Sequence, residues 1–243
     1  MKKNIYLFII GTMILSSCDK IEDMFGSDDK PNIKKGLVLH YTFDEQKAED
    51  LSGNNYDGAF VSAPTFVSDT PDNTGKAVFI NGFKEDALNI PYNPVEDSCN
   101  YSVSMWLKDF AAGDIIKSVE GESTGRLCAL SLTAKDDRSF QFRTYTSSYD
   151  VYVFSEYNYS DIQEDGWHLV TITVDGKLKK EMKLYVDGSL VDVTSISRSL
   201  STGSKFIIGG GVEPINSFKI DNLRLYNRCI SSDEVKLIYS SEK

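Results

Sequence analysis

Five tyrosines crowd into one twenty-residue stretch, FQFRTYTSSYDVYVFSEYNY at 140–159: Tyr145, Tyr149, Tyr152, Tyr157 and Tyr159, with Arg143 and Asp150 among them. A tyrosine ring is a flat apolar body with a polar tip. Sugars present C–H faces to such rings while their hydroxyls pair with polar groups. The chemistry on offer is saccharide recognition, and Arg143, Tyr145, Tyr149, Tyr152 and Tyr157 are the candidate carbohydrate-binding residues. The competing reading divides the same tyrosines between a core and a half-buried sheet surface.

Other spacings offer different chemistry. The loop Asp44 to Asp57 gathers Asp44, Asp50, Asn54, Asn55 and Asp57 around Gly53, with Gly58 next to it. Calcium takes several oxygen ligands in a loose geometry, and the same residue types dominate turns. Gly121-Glu122-Ser123-Thr124-Gly125 fits G-x-S-x-G by letters. A nucleophile elbow needs a strand before it and a helix after it. Here Ile115 to Val119 is a short run before the motif and Arg126 to Thr133 reads as a strand after it, so a strand-to-strand turn is expected. His40 and His168 are the only candidate bases for a triad, and both lie on strands. Gly209-Gly210-Gly211 lacks the Lys-Ser/Thr of a phosphate cradle and reads as a tight turn. After Cys18 come Cys99, Cys128 and Cys229, with no CxxC and no zinc spacing. One disulfide among the three and three buried thiols both stand.

The elements that must position these residues are strands. Short apolar or alternating runs recur between turn signals: 37–43, 77–80, 87–90, 102–107, 127–133, 140–145, 151–154, 167–174, 182–186, 190–193, 205–208 and 218–226. Ser102 to Leu107 alternates with period two, and Trp167 to Val174 is rich in β-branched residues. Asp187-Gly188 reads as a tight hairpin turn. Many short strands at this spacing imply a sandwich or barrel. One helix is expected at the C-terminus: Ser231 and Glu234 form a capping box, Ile230 staples onto Val235, and Val235, Ile238 and Tyr239 share a face. It reads as a structural closure.

The chain has 243 residues, 41% hydrophobic and 26% charged, which excludes wholesale disorder and fibrous repeats. With 36 acidic and 26 basic residues it carries −10, so nucleic acid is not an expected partner. At the N-terminus, Lys2 and Lys3 precede an apolar run of 11 residues, Ile5 to Leu15. A membrane-spanning helix needs about 20, so residues 1–17 have the proportions of a signal peptide. Leu15-Ser16-Ser17-Cys18 resembles the lipobox of bacterial lipoproteins. That resemblance implies acylation of Cys18, a membrane contact through the lipid anchor alone, and a place in the bacterial cell envelope at the outer membrane. Residues 18–35 read as a polar tether whose acidic content resembles surface-export signals.

From Gly36 the blocks GLVLHYTFDEQKAEDLSGNNYDGAF, SVSMWLK, GWHLVTITVDGKLKKEMKLYVDGSLVD, FIIGGG and IDNLRLYNRCISSDEVKLIY follow one another. Together they resemble the LamG-like jelly-roll domains of the concanavalin A-like lectin/glucanase superfamily. The resemblance implies an all-β fold, a two-sheet antiparallel jelly-roll sandwich over residues 36–243 with a short C-terminal helix. It implies that Trp106 and Trp167 lie in the core. It also implies a structural calcium ion between the first loop and the last strand, with Asp44, Asp50 and Asp221 as metal ligands and Asn54 as a further one. Glucanase relatives carry two carboxylates on one strand as Glu-x-Asp-x-x-Glu; no Glu-x-Asp occurs in this chain, which removes that catalytic strand. The expected function is non-catalytic capture of a polysaccharide or glycan. A glycoside hydrolase, or an adhesion module binding partner envelope proteins, are the alternatives.

Overall fold

The computed structural model describes residues 30–82, 86–94, 100–119, 127–135, 139–145, 152–158, 166–196, 205–210 and 217–243. Ile33 to Lys243 forms one compact unit. Two antiparallel sheets build it. The first contains β1 (Leu37–Tyr41), β3 (Thr65–Val67), β4 (Ala77–Ile80), β6 (Asn100–Lys108), β11 (His168–Asp175), β12 (Glu181–Val186), β13 (Ser189–Ser195) and β15 (Phe218–Tyr226). Its order is β13-β12-β11-β6-β15-β4-β3, with β1 also paired to β15. The second contains β2 (Ala59–Phe60), β5 (Ala87–Ile90), β7 (Gly113–Val119), β8 (Leu127–Ala134), β9 (Ser139–Tyr145), β10 (Tyr152–Asn158) and β14 (Lys205–Gly209), in the order β10-β9-β8-β7-β14-β5-β2. Helix α1 (Ser232–Ser241) closes the chain. The expected sandwich and its terminal helix are both present. No helix among the described residues is long and apolar enough to cross a membrane.

The core lies between the sheets, where alternate residues of each strand meet: Val103, Met105 and Leu107 of β6, Val170, Ile172 and Val174 of β11, and Phe140 and Phe142 of β9 are all buried. A second apolar cluster lies on the outer face of the first sheet. Trp106, Leu169, Tyr185 and Tyr226 are covered there by Ile230, Val235 and Ile238. This cover explains why β6 and β11 are buried on both faces along nearly their whole length. Trp106 stacks on Tyr239 at 5.6 Å and donates from Nε1 to Glu242 at 2.8 Å. Trp167 is only half-buried; its indole donates to Asp69 at 3.0 Å.

Local chemistry sets the turns. Asp187 and Gly188 have φ of 51° and 77°, joining β12 to β13 through the two-residue turn that the Asp-Gly pair requires. Gly209, at φ 70°, ends β14 where a Cβ would lie 2.7 Å from the Asp86 carbonyl, so only glycine fits. The capping box of α1 is complete: Glu234 N donates to Ser231 Oγ at 3.2 Å, and Ser231 N donates to Glu234 at 2.7 Å. β7 and β8 are antiparallel neighbours, so the flanks of Gly121 to Gly125 are strand and strand; the motif itself lies outside the described residues.

Candidate functional site

β9 and β10 form the outer pair of the second sheet and carry the tyrosine-rich segment. Their register sets Tyr145 across from Tyr152, Arg143 across from Phe154, and Phe140 across from Tyr157. Phe140 and Phe142 are core residues, so alternation puts positions 141, 143, 145, 152, 154 and 156 on the opposite, outer face. Arg143 is half-buried there, its Nε donating to Gln141 Oε1. Glu156 accepts from Ser139 at 2.8 Å on the same pair. Thus Arg143, Tyr145 and Tyr152 belong to one surface of the strand pair. Tyr157 does not join them: it packs against the core from the inner face. Tyr149 lies outside the described residues.

The acidic loop after β1 has a different task. Asp50 accepts four hydrogen bonds: from His40 N at 3.0 Å, Ser52 N at 2.9 Å, Ser52 Oγ at 2.9 Å and Tyr56 N at 3.0 Å. These donors outweigh partial burial and hold its carboxyl below the usual range. Asp57 accepts from Asp50 N at 2.8 Å. The carboxylates that sequence offered to a metal thus fold the loop on itself. Asp44 accepts from Lys76 N at 3.0 Å. Asp221 is 3% exposed, and burial, with the Asp44, Glu242 and Asp72 carboxylates nearby, pushes it up to about 8 against the single backbone N–H of Asn222. Asp44 and Asp221 therefore feel one another, while Asp50 is committed elsewhere. Among the described residues no group of three His, Cys, Asp or Glu side chains converges.

The two histidines are structural. His40 faces Asn222 Oδ1 at 3.2 Å, and burial with the Arg224 guanidinium brings it down to about 4, so it is neutral at pH 7. His168 Nδ1 lies 2.7 Å from Asp187 Oδ2, and Asp187 Oδ1 accepts from Leu169 N at 3.0 Å, which ties the β12–β13 turn to β11. Cys229 is a free thiol donating to Val174 O at 3.1 Å. One concavity was not foreseen from sequence. It opens beside the start of α1, over the outward residues of β11 and β12. The alternation of Lys183 and Tyr185 with core Met182 and Leu184 was the available signal for it.

Known proteins bear on this geometry. No curated protein sequence matches the chain significantly. The binding domain of Paraclostridial Mosquitocidal Protein 1 is similar over 86% of this chain and 53% of its own, with a TM-score of 0.69 and 20% identity. The binding domain of botulinum neurotoxin DC, solved in complex with SialylT, is similar over 87% of this chain and 52% of its own, with a TM-score of 0.70 and 14% identity. The same toxin domain solved with rat synaptotagmin II gives 87% and 53%, a TM-score of 0.70 and 14% identity. The chain spans about half the length of these solved domains, and at such identities the likeness is one of fold. The laminin G profile described as Concanavalin A-like lectin/glucanases superfamily matches residues 81–236, well over half the sequence. The chain belongs to the concanavalin A-like lectin/glucanases superfamily.

Proposed function

We propose that this chain is a lipid-anchored protein of the bacterial envelope whose sandwich captures a glycan without cleaving it. The observation that carries the proposal is the β9–β10 register, which sets Tyr145 across from Tyr152 one strand position from the Arg143–Phe154 pair, on the face away from the core. Two tyrosine positions and Arg143 on one face of the strand pair offer, by residue type, ring faces for sugar C–H groups and donors for sugar oxygens. The solved relative in complex with SialylT, and the botulinum neurotoxin type C whose cell entry depends on two ganglioside molecules, support a glycan as ligand on this fold. The lipobox-like Leu15-Ser16-Ser17-Cys18 supports the anchor and, with the acidic tether, the outer membrane as its location.

A polysaccharide panel offered to the full chain and to Arg143→Ala, Tyr145→Ala and Tyr152→Ala tests the reading. Binding by the wild type and at least tenfold weaker binding by two of the three variants is expected. No binding to any polysaccharide, or variants that bind like the wild type, overturns it. A protein ligand is less well supported. The exposed apolar side chains Leu51, Val61, Leu178, Leu190, Val193 and Leu237 are spread over three loops, β13 and α1.

A further inference from the structure

The outer face of the first sheet holds a cavity of about 440 Å³, within the size range of small-ligand sites. Its floor comes from β11 and β12. Thr173 is the cross-strand partner of Lys183, and Thr171 of Tyr185, so Thr173, Lys183 and Tyr185 rise from one face. Its wall is the segment Arg228 to Ser232 leading into α1, with Glu234 behind it. That wall is rigid. Arg228 donates from both terminal nitrogens to the Glu234 carboxylate at 2.7 Å each, and the same carboxylate takes Ser231 N.

Two observations give the cavity a ligand chemistry. First, Thr173 and Tyr185 are each 3% exposed and both line the cavity. Neither hydroxyl bonds to a protein group among the described residues, and neither is an enclosed atom: both open onto the cavity. Unpaired within the protein and open to the cavity, both are free to bond to a group that enters it. Second, the lining charges cancel. Lys179, Lys183 and Arg228 stand against Asp175, Glu181 and Glu234. Lys183 is bonded to Glu181 at 2.8 Å, Arg228 is bonded to Glu234, and Asp175 accepts from Leu178 N at 2.8 Å. An anion or a cation gains little in such a lining. A group that donates and accepts at one atom, an alcohol, suits both free hydroxyls.

The neighbouring strand narrows the class further. Leu190 and Val193 of β13 stand across from Tyr185 and Lys183 on the same face. They are 49% and 48% exposed, an apolar shelf beside the hydroxyl-bearing floor. A sugar ring matches this pairing, with hydroxyls on its edge and C–H groups on its face. We propose that the cavity between β11–β12 and the start of α1 is a second saccharide site, taking an uncharged sugar unit whose hydroxyl edge meets Thr173 and Tyr185 and whose C–H face lies on Leu190 and Val193. It is independent of the β9–β10 surface, which belongs to the other sheet.

The test is a titration of the isotope-labelled full chain, followed by amide and methyl resonances, with maltohexaose, cellohexaose, xylohexaose and mannohexaose as neutral probes and a galacturonate oligomer as the charged comparison. At least one neutral probe is expected to give saturable shifts at Thr173, Lys183, Tyr185 and Ser232 and at the Leu190 and Val193 methyls. Tyr185→Phe keeps the ring and removes only the hydroxyl, and Thr173→Val keeps the shape and removes only the hydroxyl. Each is expected to weaken that binding about fivefold, the effect of one lost hydrogen bond. The absence of saturable shifts at these residues with every neutral probe at about 10 mM, beyond the millimolar range of weak recognition, overturns the proposal. So does binding unchanged in both variants, or a preference for the galacturonate oligomer. Shifts confined to residues 141–143 and 156–158 would uphold the β9–β10 reading and sink this one; shifts confined to the cavity would do the reverse.

Discussion

The side chains around Arg224 show how burial shapes this molecule residue by residue. Arg224 is 6% exposed and paired with Glu242 under the end of α1, and His40 and Asp221 flank it along the same sheet. His40 stays neutral down to about 4 instead of 6.5, chiefly through burial. Asp221 keeps its proton up to about 8 instead of 3.8, again chiefly through burial. The two act on stability with opposite sign. Between about pH 4 and 6.5 the unfolded chain binds a proton at His40 that the folded chain refuses, so this group's stability is lost as pH falls. Across about pH 4 to 8 the folded chain holds a proton at Asp221 that the unfolded chain has released, so this group's stability is lost as pH rises. Below pH 6.5 the slopes offset; from 6.5 to 8 only Asp221 acts, at about 1.4 kcal/mol per pH unit. Asp221→Asn keeps the acceptor for Asn222 N and removes the titration. His40 titrates alike in both proteins, so denaturant melts of the two should diverge steadily from pH 5 up to about pH 8, the variant gaining about 1.4 kcal/mol on the wild type per pH unit. Parallel curves would show that Asp221 does not hold its proton. Repeating the melts with calcium tests the metal: a calcium-dependent rise lost in Asp221→Asn would place the ion at this carboxyl, and no rise in the wild type would exclude it there.

Helix α1 covers Trp106, Leu169 and Tyr226, so its anchoring matters for the whole outer face of the first sheet. Ser231→Ala removes the side-chain acceptor for Glu234 N and should cost about 1 kcal/mol. In a domain of this size that is a fall of about 2–4 °C in Tm by calorimetry; an unchanged Tm would mean the cap does not hold the helix. Ser231, Glu234 and the staple residues were readable because capping acts over four residues of sequence. The same locality explains which strands were legible. β6, β11, β12 and β15 announce themselves by alternation or β-branched density. β2 and β3, of two and three residues, carry no period long enough to see. Alternation also misleads where a second layer arrives. Ser102 and Ser104 are the polar members of an alternating run, yet both are fully buried: Ser102 takes part in hydrogen bonds with Arg228 O and Ile230 N, and Ser104 bonds to Thr171. The site suffers the same limit. A run of tyrosines tells the composition of a segment, but only the pairing of Tyr157 with Phe140, and its packing on the core, separates it from Tyr145 and Tyr152, which pair with each other at the alternate positions of the two strands.

At the scale of the molecule, two features divide the labour. The sandwich, Ile33 to Lys243, has its own core and both candidate saccharide surfaces; on the proposed reading the segment holding Cys18 supplies the membrane anchor. Acyl chains bind a bilayer through buried CH₂ groups, about 0.8 kcal/mol each, and one chain holds only marginally where two or more hold stably. Anchoring should therefore disappear in one step when the acceptor thiol is removed, because the remaining contacts of a chain carrying −10 with an anionic leaflet are repulsive. Cys18→Ser expressed in a bacterial host that processes lipoproteins should leave the detergent-soluble membrane fraction and appear in the aqueous one. Its polysaccharide binding should equal that of the wild type, since Arg143 and the β11–β12 cavity belong to the sandwich. Retention of the variant in the membrane would assign the attachment to the apolar run Ile5 to Leu15 instead. Loss of glycan binding on release would make the membrane part of the recognition surface, and the two halves of the molecule would no longer be separable in function.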